Sequence, residues 1–168
     1  MYVYYCSTLI GQIGIQEEQG QITRVYLPGQ THLDFNDPNL SAEQKQTPLI
    51  KEAFKQLNEY FCRKSSDFNI PICLKGTFFQ MKVWDELKKI PYGSTATYKD
   101  IAMRIGNPNA ARAVGQACNK NPIPLFVPCH RVVGANGDIT GFSAGLGIKV
   151  KLLEIEREYF TYKGKCCF

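Results

Sequence analysis

No stretch of this 168-residue sequence approaches the ~20 consecutive apolar residues of a membrane-spanning helix, which argues against an integral helical membrane protein. The opening run Met1-Tyr2-Val3-Tyr4-Tyr5-Cys6 lacks the basic leader and cleavage site of a secretory signal, so a cytoplasmic protein is expected, nuclear if the source is eukaryotic. Cysteines number seven, an odd count, and no two stand in a C-x-x-C pair, so neither a disulfide framework nor a thiol-rich zinc site is expected. The terminal Cys166-Cys167-Phe168 does not fit the prenylation pattern and reads as a frayed tail prone to oxidation. Acidic side chains are scarce in the second half. Residues 75–168 hold 14 basic and 7 acidic side chains, against 6 basic and 8 acidic in residues 1–74. With a net charge of +5 so divided, a polyanion is expected to meet the C-terminal half.

What remains is an ordinary globular composition, 44% hydrophobic and 21% charged, with chain enough for one domain or two small ones. Tyr2 to Ile10 reads as a strand and Gly11 to Gln16 as its continuation or restart; a turn at Glu17 to Gly20 leads to a strand over Gln21 to Leu27. Thr31 to Gln46 is polar, without periodicity, and reads as a loop. Thr47-Pro48 pairs an N-cap with a proline at the first helical position, and Ile50, Phe54, Leu57 and Phe61 follow on one face. Phe68, Ile70, Ile72 and Leu74 alternate as a third strand. These elements make a small N-terminal α/β domain, residues 1–75, in which no constellation for chemistry is found.

Residues 76–168 read as a mainly helical domain. Thr77 and Gln80 form a capping box that starts a helix burying Phe79, Val83, Leu87 and Ile90, and Pro91-Tyr92-Gly93 breaks the chain. Thr97 and Asp100 repeat the signature for a short helix to about Ile105. Gly106 stops it, with Asn107 capping and Pro108 opening a helix to about Asn119. Two short helices about a glycine turn are a helix-turn-helix pattern. The second carries Ala110, Ala111, Ala113, Gly115 and Ala117, nearly bare of bulk, with Arg112 standing out. Such a face packs closely on another helix of the same protein, or on DNA. Asn136-Gly137 marks a hairpin-type turn, and a last helix from Leu146 to about Phe160 packs Val150, Leu152, Leu153 and Ile155. Glu156 on that helix fits a surface charge paired with nearby lysines.

Between them lies Ile123-Pro124-Leu125-Phe126-Val127-Pro128-Cys129-His130-Arg131-Val132-Val133, an apolar run that sets a thiol, an imidazole and a guanidinium side by side. Cys129 is either a buried small hydrophobe or a positioned nucleophile. On an extended backbone His130 points to the opposite face, so a bridging water is expected to link it to the thiol.

The run Pro128 to Val133, with Asn107 to Gly115, Asn121 to Pro124 and Gly141 to Gly145, resembles the active-site signature of the O6-alkylguanine-DNA alkyltransferases, also called methylated-DNA–protein-cysteine methyltransferases. The likeness runs in register from about Thr77 to Glu156; the N-terminal half is similar in general pattern. The resemblance implies an α+β fold, with a small ribonuclease H-like α/β domain ahead of a mainly helical, winged-helix-like domain. It implies a partner, double-stranded DNA containing alkylated guanine, and a protein acting as a monomer without cofactor or metal. The family's structural zinc would have only Cys6 and His32 here, too few ligands for a site.

The resemblance also assigns roles. Cys129 is the alkyl acceptor, His130 its base, and Glu156 the carboxylate that orients the imidazole. Asn121 shapes the turn, and Tyr98 donates to the guanine leaving group. Arg112 fills the gap left by the flipped base, while Ala110, Ala113 and Gly115 face the minor groove. Val132, Phe142 and Ser143, with Tyr98, line the base pocket; where some relatives have tyrosine, Phe142 keeps the ring and loses the hydroxyl. Direct reversal of O6-methylguanine, one alkyl group per chain, is the reaction expected, with O4-methylthymine left open. The rival readings are a lesion-binding protein that transfers nothing, a helix-turn-helix regulator, and a cysteine hydrolase.

Overall fold

The computed structural model describes residues 1–30 and 42–157, in two compact units that divide after Leu74. In the first unit, β1 (Tyr2–Thr8), β2 (Gly11–Glu18), β3 (Gln21–Tyr26) and β4 (Glu43–Gln44) form one sheet in the order β3-β2-β1-β4. β1 and β2 pair antiparallel from Tyr2 opposite Glu17 to Thr8 opposite Gly11, so the first strand stops at Thr8 and the chain reverses at Leu9 and Ile10. The sequence reading carried that strand to Ile10 because both turn residues are apolar. Gly11 takes φ +117°, and a β-carbon there would come within 2.9 Å of Pro28. The second turn is narrower than expected: Gln19 and Gly20, with φ of 51° and 75°, are both left-handed, as a two-residue hairpin turn requires.

β4 lies in the segment expected to be loop and pairs parallel with β1, Glu43 opposite Tyr2 and Gln44 opposite Val3. The expected strand over Phe68 to Leu74 reduces to a single parallel bridge, Ile22 opposite Ile72. Pro71 has no amide hydrogen to extend that ladder; its carbonyl accepts from the Ile22 amide at 2.9 Å, and the Cys73 amide donates back to Ile22. α1 (Pro48–Phe61) starts as expected, the Thr47 side chain accepting from the Ile50 amide, and buries Ile50, Ala53, Phe54, Leu57, Tyr60 and Phe61.

In the second unit, α2 (Phe78–Leu87) opens on the capping box of Thr77 and Gln80. It buries Val83, Trp84 and Leu87; Ile90, buried beyond the helix end, joins them, while Phe79 is only half-buried. The Trp84 indole donates to the Ala117 carbonyl at 2.9 Å, tying α2 to a later helix. β5 (Ala96–Thr97) leads directly into α3 (Tyr98–Arg104), where Thr97 and Asp100 form the second capping box. Past Ile105, Gly106 at φ +78° donates to Met103 and Asn107 donates to Ala102, a Schellman ending.

Asn107 therefore ends one helix rather than capping the next. The Ala110 amide bonds back to Asn107 at 3.0 Å, closing a turn around Pro108, and α4 (Ala111–Asn119) begins with Ala110 as its uncapped N-terminal residue. After Cys129–Arg131, which form one 3₁₀ turn, β6 (Val132–Val133) pairs parallel with β5. Asn136 and Gly137 form a left-handed turn with φ of 62° and 81°. α5 (Leu146–Arg157) buries Leu152, Leu153 and Ile155, together with Lys149 and Glu156; Val150 is half-buried, and the expected extension to Phe160 lies outside the described residues.

Trp84→Phe removes the indole donor from the buried Ala117 carbonyl and leaves a cavity against α4, and should destabilise the fold by about 2–4 kcal/mol. Urea denaturation followed by circular dichroism reads the change; an unaltered midpoint would mean the indole contributes nothing to holding α4.

Candidate active site

The segment Asn121 to Val133 is buried throughout except for half-buried Pro122, so its backbone groups must be paired internally. Asn121 does much of this. Its side-chain amide donates to the Val127 carbonyl at 2.8 Å, and its side-chain oxygen accepts from the Ile123 amide at 3.0 Å. Between them Leu125 is held at φ +77°, a conformation a branched side chain rarely adopts, which stores about 1–3 kcal/mol of strain. Asn121 thus fixes the loop that delivers Pro128 and Cys129.

Cys129, His130 and Arg131 turn as a 3₁₀ helix rather than running extended, which corrects the expectation that neighbours alternate faces. Cys129 is 3% exposed and His130 fully buried. His130 Nε2 lies 2.7 Å from Glu156 Oε1. Glu156, 1% exposed, is no surface charge. Its carboxylate also accepts from Arg131 Nε at 3.0 Å, from Arg131 Nη2 at 3.1 Å and from the Gly93 amide at 3.0 Å. Arg131 Nη1 donates to the Ile90 carbonyl at 2.6 Å, and the guanidinium lies over the Tyr92 ring. Arg131 was missed as a functional residue because a lone arginine beside a cysteine carries no spacing signal; its burial identifies it.

The electrostatics follow from this geometry. Burial works to raise the Glu156 pKa, but the His130 hydrogen bond and the Arg131 charge more than offset it and hold the carboxyl at about 2. Burial lowers the His130 pKa, with Glu156 opposing, so the imidazole is neutral at pH 7. Burial pushes the Cys129 thiol up, with Asn121 and the Lys149 ammonium acting against it.

The parallel pairing of β5 with β6 sets Thr97 opposite Val133 and so brings Tyr98, the first residue of α3, beside the cysteine turn. The Tyr98 hydroxyl donates to the Thr140 carbonyl at 3.1 Å, and burial raises its pKa, to which the Cys129 thiol also contributes. A β-carbon on Gly115 would touch the Tyr98 ring at 3.6 Å, and one on Gly141 would lie 3.7 Å from its hydroxyl. Both are ordinary contact distances, so the backbones of α4 and of the loop after β6 lie close against the phenol. Val132 is buried in β6, Phe142 is half-buried, and Ser143 is exposed on the loop that follows.

Lys149, also unanticipated, is fully buried, its ammonium donating to Val132, Thr140 and Gly141 carbonyls. A groove of about 620 Å³ opens over α4, lined among the described residues by Tyr98, Lys99, Ala111, Arg112, Gly115 and Asn136. Arg112 is exposed there; Ala111 rather than half-buried Ala110 or Ala113 lines the groove with Gly115. Cys6 lies in β1 and His32 outside the described residues, among which no cluster of three or more metal-ligating side chains occurs. A buried thiol followed in sequence by a carboxylate-oriented imidazole, with a phenol in reach and an apolar groove bearing Lys99 and Arg112 alongside, can carry out nucleophilic displacement on a base presented from that groove.

Comparison with known proteins bears on the same arrangement. Residues 1–74 match the model of the 6-O-methylguanine DNA methyltransferase ribonuclease-like domain, and residues 78–158 that of the DNA binding domain of the same proteins. The constitutive methylated-DNA–protein-cysteine methyltransferase of Bacillus subtilis is 44% identical over 165 residues, 98% of this chain and 99% of that one. The corresponding protein of Methanosarcina acetivorans is 43% identical over 93% of this chain and 98% of its own. Among solved structures, Mycobacterium tuberculosis OGT in complex with DNA superposes with a TM-score of 0.85 at 36% identity, covering 95% of this chain and 94% of that one. Matched in both of its domains and along nearly its full length, this chain belongs to the O6-methylguanine-DNA methyltransferase family.

Proposed function

We propose that this protein repairs DNA by direct reversal, transferring the alkyl group of O6-methylguanine irreversibly to Cys129. The observation that carries this reading is the buried Cys129 thiol beside the His130–Glu156 hydrogen bond, in the domain that matches the family's DNA-binding module. The first unit supports; the second binds DNA and reacts.

The relative from Mycobacterium tuberculosis is described in complex with DNA, and the α4 groove is where this chain would receive it. A stacked base is out of reach of a buried thiol, so the lesion must swing out, at a cost of a few kcal/mol that is smallest for a damaged base. Small residues on α4 let its backbone approach the minor groove, and the exposed Arg112 occupies the space the base vacates. The base enters between Tyr98 and the loop bearing Phe142 and Ser143.

Neutral His130 takes the thiol proton through a water, and Glu156, ionised by its contact with Arg131, stabilises the imidazolium that forms. The thiolate attacks the alkyl carbon in line with O6. The S–C bond forms as the C–O6 bond breaks, and the electron pair passes to the guanine, which takes the Tyr98 proton once that hydroxyl turns from the Thr140 carbonyl to the base. The phenolate then regains a proton from solvent, and the imidazolium returns the thiol proton to solvent. The thioether product is inert to the groups around it, so each chain reacts once. A regulator would need side chains on α4 to read base edges in the major groove, which Ala111 and Gly115 do not supply. A lesion binder would not require the thiol.

Intact-protein mass and peptide mapping after mixing with excess O6-methylguanine duplex should find one methyl group per chain, on Cys129. Cys129→Ala should abolish transfer and keep binding to the alkylated duplex; methyl transfer by that variant would place the acceptor elsewhere. Arg112→Ala should slow repair of duplex on the order of tenfold or more while leaving reaction with free O6-benzylguanine nearly unchanged, because only the duplex needs its base extruded. Equal losses on both substrates would remove its role in base flipping.

Acid sensitivity follows from the site's protonation. Both Glu156 and His130 have lowered pKa values when folded, so the unfolded chain binds more protons, and stability rises with pH. The His130 contribution is present above its ordinary 6.5 and lost below it; that of Glu156 is present above 4.5 and lost as pH falls toward about 2. Thermal midpoints should therefore decline on acidification from neutrality, and His130→Gln should flatten the first part of that decline; an identical pH profile in the variant would contradict the assignment.

A further inference from the structure

Lys149 is a charged group close to Cys129 that the reaction scheme leaves without a part. Its side chain is fully buried, which for an ammonium carries a heavy desolvation cost unless every N–H is matched. Here the match is complete: three donors meet three backbone carbonyls, Val132 at 2.5 Å, Thr140 at 2.7 Å and Gly141 at 3.3 Å. No carboxylate pairs with it in these contacts. The charge is balanced by carbonyl dipoles from two separate segments, β6 and the loop that follows the Asn136 turn, held from a third, α5.

The carbonyls it chooses are informative. Val132 is the residue of β6 that pairs with Ala96 of β5, one step from the strand end that delivers Tyr98. Thr140 supplies the oxygen that accepts the Tyr98 hydroxyl, so the phenol and the ammonium share one acceptor. Gly141, at φ +45°, sits beside that hydroxyl, its β-carbon position 3.7 Å from the Tyr98 oxygen. The Lys149 nitrogen also stands 5.8 Å from the centroid of the Tyr98 ring. Each contact therefore bears on where the Tyr98 oxygen lies.

We infer that Lys149 is a positioning residue for alkyl transfer: by clamping the Val132, Thr140 and Gly141 carbonyls together it fixes the pocket wall against which the Tyr98 oxygen is held, so that the hydroxyl need only turn its one hydrogen from Thr140 to the incoming base. Without the clamp, the loop bearing Thr140 loses its tie to β6 and α5, and the phenol loses the acceptor that holds it at the pocket mouth. The lysine acts on the leaving-group side of the reaction and has no part in seating the duplex, since its side chain does not reach the α4 groove.

This inference rests on the alkyl-transfer reading, and the test separates the two. Rate constants for reaction with free O6-benzylguanine are measured on the full chain for the parent, Lys149→Met, Tyr98→Phe and the double variant, alongside duplex affinity and thermal midpoint. Lys149→Met should lose on the order of tenfold to 100-fold in rate, as expected for a misplaced catalytic contact, with duplex affinity unchanged. The double variant should be no slower than the slower single variant, because both changes disable the same hydroxyl. Multiplying losses in the double variant, or an unaffected rate in Lys149→Met, would overturn the inference. Lys149→Gln, which keeps two donors, serves where the methionine variant does not fold; failure of both to fold would make the lysine a core element only and overturn it equally. A parent protein that gains no alkyl group from either substrate would instead reject the transfer reading itself.

Discussion

The Glu156 carboxylate is the constraint on which the second unit depends. Burying one charge in a protein interior costs several kcal/mol unless it is surrounded by donors, and this one has the His130 ring, the Arg131 guanidinium and the Gly93 amide. Those donors come from the cysteine turn and from the break after α2, so the carboxylate ties α5 to two other stretches of chain. Arg131 carries the network further by donating to the Ile90 carbonyl. Because the imidazole is one of the donors, the geometry that satisfies the buried charge is also the geometry that fixes the ring orientation of His130, the residue that follows the cysteine.

A second constraint acts on the other side of the cysteine. The 121–127 segment reaches the site through a left-handed Leu125, and the Asn121 side chain supplies the hydrogen bonds that hold it. Strain of this kind persists where surrounding contacts over-determine it, and here those contacts lie a few residues before the nucleophile. The two halves of the site are thus stabilised by different means: ionic pairing for the base, and side-chain-to-backbone bonds for the turn that presents the thiol.

Much of this was legible from the residues alone where the signal is local. Thr47-Pro48 and the capping boxes at Thr77 and Thr97 mark helix starts by short-range chemistry, and all three helices begin there. The chain reversal at Leu9-Ile10 was not legible, because turn residues without glycine, proline or a short polar side chain look like strand. Nor was the start of α4, since Asn107-Pro108 serves equally as helix cap and as turn, and the Schellman ending of α3 claims Asn107 first. At the site, the resemblance supplied Glu156 as the partner of His130, a pairing 26 residues apart that no periodicity encodes. Arg131 and Lys149 escaped notice for a common reason: a charged side chain is presumed to be solvated until tertiary structure shows what surrounds it.

The chain has one tryptophan, and it is Trp84, buried in α2 with its indole bonded to the backbone of α4. All of the protein's indole emission therefore originates at the junction between the core and the helix that lines the groove. An indole that loses this hydrogen-bonding partner or gains water changes its emission wavelength and yield. The molecule consequently carries its own optical reporter for any displacement of α4, without a label attached to the surface that a ligand would have to approach.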